Sequence, residues 1–149
     1  MYVLYLGAHQ AKMVHKSSLV YSGSKIAIFV HWSKNDVISN HDQELINSLA
    51  LEFDQVIVIC NLNKAQSIEK NTKHNFGKNV KLINRVNSGY DFRAYQAGLA
   101  ILKPIANLID EILLMNNSVY RVHDSLNPLM TRVRNSGFDV TAITNSREK

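Results

Sequence analysis

Uninterrupted apolar runs of strand length constrain the fold of this chain more than any other feature. KIAIFVHWS at residues 25–33 and DQVIVICNLN at 54–63 are rich in β-branched side chains and do not alternate with polar ones, as expected of strands buried on both faces. Three further strands are predicted at 79–87, 110–120 and 138–144. Because strands of this kind occur in parallel sheets covered by helices, the runs predict a mainly parallel sheet.

Helical patterns separate the strands. Apolar residues recur at helical spacing over 38–53, where residues 40–42 supply candidate N-terminal caps. A second helical face is predicted over 91–105, until Pro104 disrupts it, and the polar stretch 64–77 is predicted to be a short helix or loop. Alternating strands and helices predict an α/β fold, with a three-layer α/β/α sandwich around the mainly parallel sheet.

The length of the chain fits one domain. Its 149 residues are 46% hydrophobic and 19% charged, which is typical of a globular protein rather than of a disordered or fibrous one. The turn-rich YSGSK predicts a boundary between an N-terminal extension at residues 1–24 and a domain at 25–149. The apolar runs are much shorter than the roughly 20 residues of a membrane-spanning helix, and no basic leader precedes them. We therefore expect a cytoplasmic protein without a membrane span.

The charge and the metal-binding side chains exclude several function classes. The net charge is +5, but the lysines of the middle region are interleaved with asparagines rather than with aromatic side chains. We therefore expect a solvated basic face and no nucleic-acid partner. The six histidines lack the spacing of zinc ligands. Cys60 lies inside an apolar run and is predicted to be a buried, unreactive side chain.

Polar residues follow four of the predicted strands at their carboxyl ends. In parallel α/β sheets, ligands bind at this edge, so we expect these residues to line a ligand site. His31 either contacts a base or only ends its strand, while Trp32 beside it offers a flat ring. The candidate substrate-binding residues are His31, Trp32, Asn61, Asn87, Gly89, Tyr90, Asp91, Arg93, Asn116, Asn117 and Ser118.

The stretch VNSGYDFRAYQAGL, residues 86–99, concentrates polar and aromatic chemistry at one strand-to-helix turn. Gly89 relaxes the turn. Asp91 lies near the N-terminus of the next helix, where the helix dipole stabilises a carboxylate. It is either a helix cap alone or a ligand-binding residue, with or without a capping role. Arg93 either holds a phosphate or lies on the surface, and Tyr90 either packs or flanks a planar base.

Five segments together carry a family resemblance: KIAIFVHWS, DQVIVICN, NSGYDFRAYQAGL, EILLMNNSVY and GFDVTAITNS. In this order they resemble the rhamnan synthesis protein F family of glycosyltransferases, from residue 25 to the C-terminus. The resemblance implies a GT-A-like, Rossmann-like half that binds a nucleotide sugar, with the first strand meeting the base and the Gly-Tyr-Asp-Phe turn lining the pocket. It also implies synthesis of cell-surface polysaccharides of the rhamnan or lipopolysaccharide type on glycan or lipid-linked acceptors, at the inner face of the membrane.

A divalent cation, Mg²⁺ or Mn²⁺, is a further implication of the resemblance, held against the diphosphate by an acidic motif after the fourth strand. This chain has Asn-Asn-Ser at 116–118, where the family usually has Asn-Asp-Ser. An amide supplies a neutral oxygen but no charge, so Asp91 and Asn117 are weak candidates as metal ligands. Three alternatives stay open: a metal-independent enzyme that uses Arg93 or Arg121 on the diphosphate, a metal bound elsewhere, or a degenerate copy.

The resemblance also bears on catalysis. Relatives continue beyond the equivalent of Lys149 into a segment with the acceptor site and the catalytic base, so no catalytic residue is assigned in this chain. We expect a glycosyltransferase-like domain, a fragment of a larger transferase, or a non-catalytic module that binds a nucleotide sugar or docks as a homo-oligomer or onto a transferase. An unrelated nucleotide-binding regulator is disfavoured because the chain lacks a glycine-rich phosphate loop.

Overall fold

Four parallel strands make up the sheet in the computed structural model, which describes residues 23–63, 76–118 and 125–141. The strands are β1 (Lys25–Trp32), β2 (Gln55–Leu62), β3 (Val80–Val86) and β4 (Glu111–Asn116). Their order in the sheet is β3-β2-β1-β4, and all the pairings are parallel. The mainly parallel α/β fold predicted from the sequence is therefore confirmed.

The apolar runs occupy the centre of the sheet, as their composition predicts. All eight residues of β2 and all but the two end residues of β1 are buried. Burial of a large aliphatic side chain such as Ile28 or Ile57 contributes about 1.5–3 kcal/mol, so these two strands supply much of the free energy of folding. β4 lies at one edge of the described sheet, and its Ile112 and Leu114 remain 42% and 45% exposed.

Helices cover both faces of the sheet and give the three layers predicted from the sequence. The helices are α1 (Asn40–Glu52), α2 (Tyr90–Leu102) and α3 (Asn127–Arg134). α1 and α3 pack on one face, called the α1 face, and α2 packs on the other, called the α2 face. α2 continues into a 3₁₀ segment, Lys103–Leu108, because Pro104 lacks the amide hydrogen that a continuing α-helix needs.

The N-terminal cap of α1 differs from the predicted one. The cap is Ser39, whose hydroxyl oxygen accepts a hydrogen bond from the backbone N–H of Asp42 at 3.1 Å. The prediction of a cap within residues 40–42 is wrong because Asp42, although a common cap residue, turns its carboxylate inward. That carboxylate accepts a hydrogen bond from the Ser39 hydroxyl at 2.8 Å.

The prediction of a fifth strand at residues 138–144 is wrong for the part of this segment that the structure describes. Residues 138–141 form no strand. Phe138 and Val140 are 77% and 89% exposed, so the apolar residues of this segment do not mark a buried face. Residues 142–144 lie outside the described residues.

Other predicted segments are shorter than expected or lie outside the described ranges. The fourth strand, predicted to reach residue 120, ends at Asn116 and is followed by a turn at 117–118. Residues 1–22 of the proposed N-terminal extension and 64–75 of the predicted helix or loop are not described. Within the described ranges, no helix combines the length and apolar character needed to cross a membrane.

Candidate functional site

The strand order reverses between β1 and β4. The chain places β2 and β3 on one side of β1, then returns through α2 to place β4 on the other side. In parallel α/β sheets, such a reversal opens a crevice at the carboxyl ends of the two strands, where ligands bind. β1 ends at Trp32 and β4 ends at Asn116, so both residues lie at this edge, called the carboxyl edge.

Three polar or amphipathic side chains form a row across the carboxyl edge. Trp32 pairs in register with Asn61, and Asn61 pairs with Arg85. Side chains alternate between the two faces of a strand, and Val30 packs in the core beneath α2. Trp32 and its register partners therefore belong to the α2 face, on the side from which the N-terminus of α2 approaches.

Asp91 and Asn116 connect α2 to β4. The Nδ2 atom of Asn116 donates a 2.7 Å hydrogen bond to Oδ2 of Asp91, which lies in the first turn of α2. The cap position itself is Gly89, and no side chain caps the helix. The structure therefore shows no capping hydrogen bond from Asp91. Its negative charge is still stabilised by the positive end of the helix dipole.

The turn before α2 has an unusual backbone. Gly89 and Tyr90 have φ angles of 76° and 53°, both in the left-handed region. A residue that carries a side chain loses free energy when it adopts this backbone conformation, whereas glycine does not. A Cβ at position 89 would lie 2.3 Å from Cδ of Arg93, so the Arg93 side chain lies across this glycine. Tyr90 points outward and is 81% exposed.

Trp32 is held in a defined orientation. Its indole Nε1 donates to Oδ1 of Asn63 at 3.2 Å, and Asn63 in turn donates from Nδ2 to Asp36 at 2.7 Å. The ring is nevertheless 45% exposed. An indole that is fixed by one hydrogen bond and open on one side can stack on a planar base.

Asn117 fastens the end of β4 to β1. Its Nδ2 donates to the backbone oxygen of Trp32 at 2.9 Å, and its Oδ1 accepts from the backbone nitrogen of Trp32 at 3.3 Å. The amide therefore replaces a missing strand partner. Ser118 is exposed, and its backbone N–H donates to Oδ1 of Asn116 at 3.3 Å.

These contacts leave few free oxygen ligands for a divalent cation. Mg²⁺ and Mn²⁺ are bound by several oxygen ligands, usually one or two carboxylates together with water and substrate phosphates. Asp91 is the acidic side chain that the described residues place here. One of its oxygens bonds to Asn116, while the oxygen of Asn117 bonds to Trp32. No group of three His, Cys, Asp or Glu residues suited to a metal occurs among the residues that the structure describes. The described side chains of the carboxyl edge do not fit a tightly bound divalent cation.

His31 lies on the opposite face from Trp32. Only 1% of it is exposed, and its Nε2 lies 3.3 Å from Oδ2 of Asp42 on α1. An ion pair forms at this separation only when His31 is protonated, and Nε2 makes no well-aligned hydrogen bond. Burial raises the pKa of Asp42, but contacts with His31 and Ser39 outweigh it and hold that pKa below its ordinary value. The position gives no support to the predicted contact of His31 with a base.

Arg85 is a candidate site residue that the sequence analysis missed. It is 2% exposed, and its Nη1 donates to Oδ1 of Asn61. Its Nη2 donates to the backbone oxygen and to Oγ of Ser88, at 2.8 Å and 3.3 Å. Each acceptor is neutral, and no carboxylate forms an ion pair with Arg85 within the described part of the chain. The signal available in the sequence was an arginine interrupting the apolar strand NVKLINRVN.

The surroundings of Arg85 are electropositive. Its pKa is lowered, first because burial disfavours the charge and second because the guanidinium of Arg93 repels it. Beside it, Nδ2 of Asn61 is buried without a hydrogen-bond partner. Oδ1 of Asn87, the residue after β3, is also buried without a hydrogen-bond partner. Asn61, Arg85, Ser88 and Arg93 together are called the Arg85 cluster.

A cavity of about 270 Å³ lies at the other edge of the sheet. Leu99, Lys103 and Ile112 line it, beneath the 3₁₀ segment and next to the start of β4. Ligands of parallel α/β sheets bind at the carboxyl ends of the strands, and this cavity is at the amino end of β4. We therefore do not assign it to the site.

The carboxyl edge brings together most of the predicted residues but not all. Trp32, Asn61, Asp91, Arg93 and Asn116 share the α2 side, whereas His31 lies beneath α1. No protein-family model, curated protein or solved structure matches this chain. The function therefore has to be inferred from the geometry of the carboxyl edge and from the sequence itself.

Proposed function

We propose that the chain is a glycosyltransferase-like domain that binds a nucleotide-activated sugar at the carboxyl edge, for the synthesis of a cell-surface polysaccharide. The observation that carries the proposal is the convergence of Trp32, Asp91 and Asn116 where the strand order reverses. This is the position at which parallel α/β folds bind nucleotides. The resemblance of the Asn-x-Gly-Tyr-Asp-Phe stretch to rhamnan synthesis proteins supports the same function.

The contacts of these residues support a role for each of them. The exposed ring of Trp32 stacks on the base, because Asn63 already fixes its orientation. The carboxylate of Asp91 accepts hydrogen bonds from sugar hydroxyls, and Asn116 holds it in place. Charge-assisted hydrogen bonds of this kind are stronger than neutral ones. Transfer to a glycan or lipid-linked acceptor breaks the bond between the sugar and the diphosphate, and no described residue is assigned as its base.

A second candidate function is binding without transfer. It is favoured by Asn117, which occupies the position of the expected metal-binding acid and is engaged with the backbone of Trp32. The exposed Ile112 and Leu114 on β4 suit docking onto another copy or onto a larger transferase at the inner face of the membrane. The two candidates differ in whether nucleoside diphosphate is released.

Calorimetric titration tests the proposed binding. UDP, GDP, dTDP and their sugar esters are titrated with and without Mn²⁺, and at least one is expected to bind at millimolar concentration or below. Trp32→Ala should weaken that binding by about fivefold or more, since base stacking contributes about 1–3 kcal/mol. Phe138→Ala, which removes an aromatic ring that is 77% exposed outside the site, is the matched control. Failure of every nucleotide to bind would contradict the proposal, and release of nucleoside diphosphate during incubation separates transfer from binding alone.

A further inference from the structure

Arg85 is a buried cation without an acidic partner among the residues that the structure describes. Buried charges in proteins are normally paired, because an isolated charge is unstable in an apolar interior. Here all three hydrogen bonds of the guanidinium go to neutral oxygens of Asn61 and Ser88. A guanidinium carries five N–H donors, so these bonds do not use all of its donors. The site therefore has a positive charge that the described residues do not neutralise.

Asn61 provides an independent sign of an absent acceptor. The residue is 2% exposed, and its Nδ2 has no hydrogen-bond partner. Its Oδ1 is fixed by Arg85, so Nδ2 lies within the same cluster and cannot exchange places with the oxygen without placing two donors together. A buried donor without an acceptor costs free energy. A negative charge next to this pair would be stabilised by both the guanidinium and the amide N–H.

The N-terminus of α2 adds to the positive potential. α2 is 13 residues long, and its first amides have no side-chain cap, so it favours an anion at this end. Arg93 lies one turn into the helix across Gly89, close enough for its charge to lower the pKa of Arg85, after the effect of burial. Arg93 is itself exposed and forms no ion pair in the described ranges. It is therefore the group that an incoming anion meets first.

We propose that the Arg85 cluster binds a diphosphate group, with Arg93 in direct contact and with Arg85 and Nδ2 of Asn61 forming the positive floor of the site. A guanidinium group is complementary to a phosphate group, because its charge is opposite and its N–H donors fit the phosphate oxygens. Assigning the diphosphate to a nucleotide rests on the proposed function, because a lipid diphosphate carries the same group. In this site, the fixed positive charges of the arginines neutralise the diphosphate, as a metal ion would otherwise do.

Titration with inorganic pyrophosphate in metal-free buffer tests the site. The parent should bind pyrophosphate, and Arg93→Gln should weaken it by about tenfold, corresponding to about 1.4 kcal/mol. Arg132→Gln removes the same charge from α3, which packs on the opposite face, and should change the affinity less than about twofold. Arg85→Gln should weaken binding as well, and thermal melting shows whether that variant folds. If it does not fold, the comparison of Arg93→Gln with Arg132→Gln decides.

Two further ligands separate the outcomes. Tighter binding of a nucleoside diphosphate than of pyrophosphate or farnesyl diphosphate supports a nucleotide ligand. If pyrophosphate binds and depends on Arg93 but no nucleotide binds more tightly, the diphosphate site stands and the proposed nucleotide function is wrong. If nucleotides bind equally well to the parent and to Arg93→Gln, or pyrophosphate does not bind at millimolar concentration, the diphosphate site is wrong.

Discussion

Asn116 donates a 2.7 Å hydrogen bond to the carboxylate of Asp91, and this bond joins the carboxyl end of β4 to the first turn of α2. The two residues are distant in sequence and come from elements on different layers of the fold. Asp91 therefore has a structural partner that does not depend on its being a helix cap. The bond also orients the Asp91 carboxylate through one of its two oxygens, Oδ2.

Asp91→Asn separates the charge of this residue from its structural contact. An amide oxygen can still accept the hydrogen bond from Asn116, so the free energy of unfolding should fall by no more than about 1 kcal/mol. The affinity for a nucleotide sugar should fall by about tenfold or more, or about 1.4 kcal/mol, because a charged acceptor is lost. Calorimetry and thermal melting measure the two effects. Asp110→Asn, at an exposed aspartate before β4, is the control.

Unchanged affinity in Asp91→Asn would mean that Asp91 has only a structural role. Asp91→Ala removes both the charge and the acceptor, so it should lower stability more than Asp91→Asn does. If Asp91→Asn binds the nucleotide sugar as tightly as the parent and only Asp91→Ala is impaired, through stability, then the Gly-Tyr-Asp-Phe turn is a structural element.

Nucleotide binding should depend only weakly on divalent cations. Asn117 uses its amide on the backbone of Trp32, and Asp91 offers one carboxylate that is already bonded to Asn116. The described residues of the site therefore lack the charged oxygens that hold Mg²⁺ or Mn²⁺ tightly. Adding a chelator should change the affinity measured by calorimetry less than about tenfold. A loss of a hundredfold, about 2.7 kcal/mol, would show that further carboxylates complete a metal site.

The contact between His31 and Asp42 should make stability depend on pH in acid. The pKa of Asp42 in the folded protein lies below its ordinary value of 3.8 because the contacts with His31 and Ser39 outweigh burial. A lowered pKa stabilises the fold above the unfolded value, and this contribution is lost as the pH falls from about 4 through the folded-state pKa. Asp42→Asn should therefore reduce the loss of stability between about pH 5 and pH 2. Urea unfolding measures it, with Asp139→Asn as an exposed control; equal pH profiles for Asp42→Asn and the parent would contradict the assignment.

The strands and the carboxyl edge could be predicted because they depend on local composition. The apolar runs around Ile28 and Ile57 are long enough for strands and cannot remain in water, so their burial follows from the hydrophobic effect. Polar residues such as Asn61 and Asn116 then mark the points at which the strands leave the core. The alternation of side chains along a strand also places His31 and Trp32 on opposite faces of the sheet. The sequence does not indicate which of these two faces α2 covers.

Arg85 could not be predicted because its environment is tertiary. An arginine near the end of a strand is usually exposed, and its burial here depends on Asn61 from β2 and on Ser88 in the following turn. The cap of α1 shows a similar limit, since Asp42 is a common cap residue and is instead drawn inward by His31. The fifth strand failed because Phe138 and Val140, although apolar, meet no buried surface in the described structure. In each case, a distant contact decided between locally acceptable alternatives.

Gly89→Ala should weaken ligand binding as well as stability. Position 89 has a φ angle of 76°, and a Cβ there would lie 2.3 Å from Cδ of Arg93, so the substitution both strains the backbone and displaces the arginine. Gly137→Ala is a matched control because Gly137 has a φ angle of 72° with no atom within 4 Å of the added Cβ. Both variants should lose about 1–2 kcal/mol of unfolding free energy to the left-handed backbone. Only Gly89→Ala should also lower the affinity for pyrophosphate, by about tenfold, because only there does Arg93 move. Equal affinities for the two variants, measured by calorimetry where thermal melting shows both folded, would mean that the position of Arg93 over Gly89 does not matter for the anion.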